Sequence, residues 1–85
     1  MYSIEFSKAA NKTLATMPKD LRALILTKLV ALATDPHGTQ HQARRLAGRP
    51  EYRLRVHDWR VIYRLVEDRV VLLVIKIGSR GHVYE

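Results

Sequence analysis

The stretch that most constrains the fold is the segment Tyr52–Leu65, with the sequence YRLRVHDWRVIYRL. Apolar and polar residues alternate on both sides of His57-Asp58, which is the pattern of two half-buried strands joined by a tight turn. A two-residue turn at His57-Asp58 would give one face of this hairpin an apolar character. The pairs on that face would be Val56 with Trp59, Leu54 with Val61 and Tyr52 with Tyr63.

The opposite face of this predicted hairpin would be cationic. The same register sets Arg55 directly opposite Arg60, with Arg53 beside them. Like charges directly opposite each other destabilise a sheet. Such a pair is easier to explain when an anion lies between the two guanidinium groups, because arginine binds phosphate oxygens with two parallel hydrogen bonds. The register therefore predicts a phosphate-binding face.

The charge of the whole chain points to the same kind of partner. The net charge is +7 and the isoelectric point is about 10.3, which favours binding to nucleic acid, to an acidic protein, or to both. A basic surface kept only for solubility is the alternative, but the arginines are clustered. Seven of them lie between positions 44 and 64, with only Glu51 and Asp58 as acidic residues among them. Three of these arginines are predicted to contact RNA outside the reaction centre: Arg44, Arg45 and Arg49.

Length and composition predict one globular domain over residues 1–85. Hydrophobic residues make up 47% of the chain, which favours a packed core over disorder. The chain has no cysteine, which excludes disulfides and thiolate metal sites. No signal peptide is visible, and no apolar run approaches the ~20 residues of a membrane span. A cytoplasmic location without membrane contact is expected.

The first half of the chain predicts a strand followed by two helices. Tyr2–Phe6 alternates as a short strand does, and Ser7 is placed as the N-cap of a helix over Lys8–Met17. Pro18 ends that helix and can begin a second one over Lys19–Thr34. The second helix has an apolar arc wider than one sheet contact requires. That arc is either ordinary core or partly the seat of a partner segment.

The second half predicts the rest of a sheet. A polar loop is expected from Gln42 to about Pro50, then the hairpin, then a turn at Glu67-Asp68. The segment Val70–Ile77 is apolar on both faces, as a central strand is, and Gly78-Ser79 is expected to break or bulge it. The predicted fold is α+β: a two-helix hairpin packed on one face of a mostly antiparallel sheet, in the order β-α-α-β-β-β. The other face of the sheet would carry the arginines.

Three stretches of this sequence resemble the RelE/ParE superfamily of toxins from bacterial type II toxin–antitoxin pairs, and the RelE-like branch in particular. They are Arg44–Gly48, the hairpin strands Tyr52–Val56 and Trp59–Tyr63, and Ile77–Arg80 running on to Val83-Tyr84. The resemblance covers nearly the whole chain. It implies a ribosome-dependent endoribonuclease that cuts mRNA in the ribosomal A site and thereby inhibits translation.

The resemblance also implies roles for individual residues. Arg53 and Arg55 occupy the places of two basic residues that serve the reaction, and Arg60 that of an arginine that contacts the scissile phosphate. Arg80 corresponds to a late arginine, and Tyr84 to a tyrosine that stacks on or orients the substrate. A structural role is the alternative for three of these residues: Arg53 as a solvent-facing strand residue, Arg80 as a partner of a carboxylate such as Glu67, and Tyr84 as a packing residue at the sheet edge.

RNA can be cut without a metal ion when the ribose 2′-OH attacks the adjacent phosphate and the protein supplies proton transfer and charge stabilisation. Arginines suit the second task but hold their protons too tightly to act as ordinary bases. His82 is the better-matched acid or base at neutral pH. His37 and His41 are four residues apart, but Pro36 and Gly38 disfavour a helix there, so no metal site or cofactor is predicted.

Two other functions remain open from the sequence. One is a ParE-like inhibitor of DNA gyrase without nuclease activity, and the other is an inert basic module that binds RNA or an antitoxin. The resemblance implies a cognate antitoxin as partner in every case. For a RelE-like toxin it further implies the ribosome and mRNA as partners, and contact with operator DNA only through the antitoxin.

Overall fold

The sheet and its two helices follow the predicted order. The computed structural model describes residues 1–38 and 43–79. Its elements are β1 Ser3–Phe6, α1 Lys8–Thr16, α2 Lys19–Thr34, β2 Ala43–Arg45, β3 Tyr52–Val56, β4 Trp59–Val66 and β5 Val71–Ser79, with a 3-10 turn at Glu67–Arg69. The strands form one sheet in the order β1-β5-β4-β3-β2. Only β1 pairs in parallel, with β5, so the predicted α+β class with a mostly antiparallel sheet is confirmed.

The register of the β3–β4 hairpin is the one that the sequence predicts. Val56 pairs with Trp59, and Tyr52 pairs with Tyr63. The turn between them is His57-Asp58, and His57 adopts a positive φ of 53°. Left-handed backbone at a two-residue turn matches the twist of the two flanking strands. The turn therefore fixes which side chains share a face.

Two predictions about the sheet are wrong in detail. Ala43–Arg45 was expected in a polar loop, but it forms β2, an edge strand that pairs antiparallel with β3. A segment of three residues is too short to show the alternation of apolar and polar residues that predicts a strand. Its strand conformation comes from pairing with β3. Gly78-Ser79 was expected to break or bulge the last strand, but β5 runs through Ser79. The irregularity lies instead between Ile62 and Tyr63 of β4.

Ser7 joins the first helix to the sheet. Its hydroxyl oxygen accepts a hydrogen bond from the backbone N–H of Ala10 at 3.0 Å, which caps α1 as predicted. The same hydroxyl donates to the backbone carbonyl of Ile75 on β5. Pro18 stands at the N-cap of α2, where its fixed φ costs nothing. The two helices therefore form the hairpin that the sequence predicts.

Both helices contribute to one core on one side of the sheet. Helix residues such as Leu14, Ile25 and Leu29 cluster with Val61 and Leu72 of the central strands. All of these side chains are buried, and Ile25, Leu29, Val61 and Leu72 are completely inaccessible to solvent. Because side chains alternate along a strand, the residues between the core residues of β3 and β4 lie on the opposite face of the sheet.

The apolar arc of α2 is only partly used by this core. Leu26 is 39% exposed and Val30 is 48% exposed, one helical turn apart. A partner segment over them stays a prediction. No helix in the part of the chain described here is long and apolar enough to cross a membrane.

Candidate nucleic-acid interface

The candidate site lies on the face of the sheet opposite the helices, which we call the basic face. Its central strand, β4, places Arg60, Ile62 and Arg64 there, alternating with core residues. The strands on either side add further cations. Among the described residues, the cations on the basic face are Arg44 of β2, Arg53 and Arg55 of β3, Arg60 and Arg64 of β4, and Lys76 of β5.

Two pairs of arginines lie directly opposite each other on this face. Arg55 pairs with Arg60 as the sequence predicts, and Arg44 pairs with Arg53. The second pair could not be predicted, because it depends on β2. Two neighbouring like-charged pairs raise the electrostatic potential of the face and are destabilising on their own. They form a site that favours an anion, and single-stranded RNA offers successive phosphates.

Arg60 is the buried member of this set. It is 8% exposed, and its Nη1 donates to the backbone carbonyl oxygens of His57 at 3.2 Å and Trp59 at 3.1 Å. Those carbonyl dipoles stabilise part of its charge without an anion. Arg55 is exposed and, in the part of the chain that is described, forms no ion pair. The repulsion between Arg55 and Arg60 therefore does not by itself require a bound phosphate. No residue pattern in the sequence indicates the carbonyl contacts.

The remaining predicted arginines do not all lie on the basic face. Arg53 is half-buried and Arg44 is exposed, both on the basic face. Arg45 pairs with Tyr52 on the other face of β2, and its Nε donates to the carbonyl oxygen of Arg49 at 3.3 Å. Arg49 in turn forms an ion pair with Glu51 at 2.9 Å. The structure therefore brings Arg44 to the proposed site, places Arg45 on the opposite face of β2, and places Arg49 in the loop that follows β2.

Sequence reasoning missed two members of the basic face, Arg64 and Lys76. Lys76 pairs with Ile62, so it extends the row formed by Arg44 and Arg53 across the sheet. A lysine inside the apolar run VVLLVIKI was the available signal, since a charged residue in a central strand must point to the face that is not core. Arg64 is exposed and lies two residues beyond Ile62 on the same strand.

The tyrosines beneath this face have a structural role. Tyr63 is fully buried, and its ring stacks on Tyr52 with centroids 5.4 Å apart. Burial raises the pKa of Tyr63 to about 12, and the neighbouring Tyr52 adds to the shift. Its hydroxyl is buried and has no hydrogen-bond partner within the described part of the structure. Tyr63 therefore stays protonated at neutral pH and acts as core, as predicted, and Trp59 also packs against the core.

Three predicted site residues, Arg80, His82 and Tyr84, lie outside the described residues. Glu67, the carboxylate considered as a partner for Arg80, accepts a hydrogen bond from the hydroxyl of Tyr2. That contact raises the pKa of Tyr2.

Over residues 1–38 and 43–79, no three His, Asp or Glu side chains are grouped so as to hold a metal ion. The described residues of the site form a cationic surface able to bind and stabilise phosphate charge.

Comparison with known proteins assigns the family. The family model described as "ParE toxin of type II toxin-antitoxin system, parDE" matches residues 4–84. The chain belongs to this toxin family. Among curated proteins, it is 28% identical over 82 residues to the mRNA interferase toxin RelE of Escherichia coli strain K12, covering 93% of this chain and 83% of that protein. The mRNA interferase RelE of Shigella flexneri matches to the same extent. The predicted membership of the RelE/ParE superfamily is confirmed.

Solved structures share the fold of this toxin. The intact E. coli RelBE toxin–antitoxin complex contains a chain that matches with a TM-score of 0.82 and 24% identity, covering 96% of this chain and all of that one. The archaeal RelE–RelB complex of Pyrococcus horikoshii OT3 matches with a TM-score of 0.80 and 27% identity, over 96% of this chain and 98% of that one. The arrangement of helices and sheet described above is therefore the common fold of these toxins.

Proposed function

We propose that this toxin is a ribosome-dependent endoribonuclease that cuts mRNA in the ribosomal A site and so inhibits translation. The observation that supports it most is the basic face, where Arg55 lies opposite Arg60 and Arg44 lies opposite Arg53. A gyrase inhibitor without nuclease activity has no need for such a phosphate-binding surface. The relatives named mRNA interferases in E. coli and S. flexneri point to the same activity.

The proposed reaction uses the RNA's own nucleophile. The ribose 2′-OH loses its proton and attacks the adjacent phosphorus, the bond from phosphorus to the 5′ oxygen of the next nucleotide breaks, and that oxygen takes up a proton. Arg55 and the free donors of Arg60 stabilise the phosphate as it gains negative charge, with Arg53 positioned beside them. DNA lacks the 2′-OH, so the mechanism selects RNA. Arg80, His82 and Tyr84 stay predicted participants, with His82 as the candidate for proton transfer.

The test is cleavage of mRNA on programmed ribosomes, mapped by primer extension. We expect new 5′ ends within the A-site codon when toxin is added, and none when ribosomes are omitted. An mRNA with 2′-deoxynucleotides through that codon serves as the matched control and should remain intact. Uncut all-ribose mRNA at toxin excess would contradict the proposal.

Gyrase inhibition is the second candidate, because the matching family model is described by the name ParE. It predicts that the toxin blocks supercoiling by purified gyrase at concentrations that leave mRNA on ribosomes intact. The two activities also differ in cells: inducible expression followed by pulse labelling should reduce protein synthesis first if RNA is the target, and DNA synthesis first if gyrase is.

The proposed partner that restrains the toxin is a cognate antitoxin with an acidic or amphipathic helical segment. Two surfaces suit such a segment: the basic face, and the exposed pair Leu26 and Val30 on α2. The two solved structures compared above are toxin–antitoxin complexes. Co-elution of the toxin with the product of a neighbouring gene in size exclusion is the expected result. Contact with operator DNA is assigned to the antitoxin.

A further inference from the structure

A polar groove lies beside the basic face, between α2 and the β3–β4 turn. Its volume is about 640 Å³, which is within the range of small-molecule sites. It is lined by Leu24 and Lys28 of α2, Arg55 and Val56 of β3, and His57 and Asp58 of the turn. Helix, strand and turn thus each contribute residues to one concave surface, which we call the turn groove.

The cations of the turn groove form no ion pair with other described residues. Neither Lys28 nor Arg55 forms an ion pair in the described part of the chain, and Asp58, the one carboxylate in the lining, forms none either. Lys28 is half-buried while Arg55 and His57 are exposed. A partly buried ammonium group beside a guanidinium favours an anion, because desolvation strengthens the attraction of each for a negative charge.

The turn groove also has an apolar part. The partly exposed side chain of Leu24 supplies it, whereas Val56, which also lines the groove, is only 1% exposed. A site that places apolar side chains next to cations fits a ligand with both a charged and a flat apolar portion. A nucleotide has this form, since its phosphate is anionic and its base has an apolar face.

The turn groove and the basic face share one residue, Arg55. That residue belongs to the basic face by register, opposite Arg60, and it also lines the turn groove. The backbone carbonyl of His57, another lining residue, accepts a hydrogen bond from Arg60. A strand of RNA that lies across the basic face can therefore pass directly into the turn groove at Arg55.

We propose that the turn groove binds a nucleotide that adjoins the cleaved linkage, on the same RNA strand. Its phosphate lies between Lys28 and Arg55, and its base lies over Leu24. This inference rests on the proposed function, because it takes the basic face as the RNA site. Lys28 is a substrate-binding residue in this scheme and takes no part in the bond cleavage.

The test measures binding of short RNAs to the full-length toxin by fluorescence anisotropy, using fully 2′-O-methylated oligonucleotides that cannot be cut. A series from two to six nucleotides, extended at the 5′ end or at the 3′ end, is titrated against wild type, Lys28→Gln and Lys12→Gln. Lys12 is an exposed lysine of α1 that does not line the turn groove, so Lys12→Gln controls for loss of one positive charge. Backbone amide NMR spectra verify that each variant is folded and report which residues the RNA touches.

We expect Lys28→Gln to weaken binding of the longer oligonucleotides about 3- to 10-fold, and to leave the dinucleotide unaffected. The slope of log affinity against log salt should fall by ~0.7, since one phosphate contact is lost. Lys12→Gln should match wild type. In wild type, the longer RNAs should shift the amide signals of Leu24, Lys28 and His57.

Equal affinities for Lys28→Gln and Lys12→Gln at every length would overturn the inference. So would RNA-induced shifts confined to the basic face, or shifts at the turn groove with an oligoglutamate peptide but not with RNA. None of these results affects cleavage on ribosomes, which tests the proposed function separately. Conversely, a toxin that fails to cut mRNA can still be tested for this binding, because the oligonucleotides are not substrates.

Discussion

Arg55 and Arg60 lie directly opposite each other on β3 and β4, yet only Arg60 is buried and bonded to backbone carbonyls. The two guanidinium groups therefore have different roles. Arg60 is part of the structure of the turn, because its Nη1 joins two carbonyl oxygens there. Arg55 is exposed and has no such contact with the described residues, so its donors face outward to a ligand. A mutation at one position cannot be read in the same way as a mutation at the other.

This difference predicts unequal losses of stability. Arg60→Ala should reduce the free energy of unfolding by about 1–3 kcal/mol, since it leaves the carbonyls of His57 and Trp59 without their donor. Arg55→Ala should change it by no more than about 0.5 kcal/mol, because an exposed side chain is removed. Urea denaturation followed by circular dichroism measures both values. Equal losses would show that the carbonyl contacts of Arg60 do not matter for the fold.

The buried hydroxyl of Tyr63 predicts a stabilising mutation. Because that hydroxyl has no hydrogen-bond partner in the described structure, Tyr63→Phe should raise the free energy of unfolding at pH 7 by about 1 kcal/mol. The ring and its stacking on Tyr52 are retained. Urea denaturation of the two proteins side by side is the measurement. A clear loss of stability would mean that the hydroxyl is bonded after all.

The same residue predicts how stability depends on alkaline pH. Folding raises the pKa of Tyr63 from 10.0 to about 12, so the unfolded chain releases this proton at lower pH than the folded protein. The wild-type free energy of unfolding is therefore unaffected by this ionisation below pH 10, and it falls as the pH rises from 10 towards 12. The difference in stability between Tyr63→Phe and wild type should widen over that range. A constant difference would contradict the assigned shift.

Val70 predicts a second stabilising mutation. It has φ 53° and ψ 50°, the left-handed conformation that a β-branched residue adopts only with strain. It is also 47% exposed, so little packing depends on it. Val70→Asn should raise the free energy of unfolding by about 0.5–1 kcal/mol, because asparagine tolerates this conformation. Thermal denaturation detects the change.

Val30 provides a matched control for that mutation. It is 48% exposed, but it lies within α2, where asparagine is no better a helix former than valine and loses the apolar contact. Val30→Asn should therefore be neutral or slightly destabilising. A gain of similar size at both positions would show that reduced surface hydrophobicity, and not relief of backbone strain, is the cause.

Features set by a local sequence pattern could be predicted, whereas features set by tertiary contacts could not. The register of the hairpin follows from alternation around His57-Asp58, which is a local pattern, and the predicted pairs are all present. β2 was not predicted because three residues are too few to show strand alternation. The Arg44–Arg53 pair depends on β2, so it was not predicted either. The contacts of Arg60 depend on backbone carbonyls, which no side-chain pattern reveals. The turn groove brings α2 next to the hairpin, and only the tertiary structure shows that.

Single-turnover cleavage of mRNA on programmed ribosomes measures whether the basic face stabilises the phosphate during RNA cleavage. Arg55→Gln should slow the reaction by about 10²–10³-fold while leaving the fold intact, since one group that stabilises the developing charge is removed. Arg69→Gln is the matched control, because Arg69 is an exposed arginine of the turn between β4 and β5 that pairs with Glu5 and is remote from the hairpin turn. Its rate should equal that of wild type. Equal rates for Arg55→Gln and wild type would contradict the account.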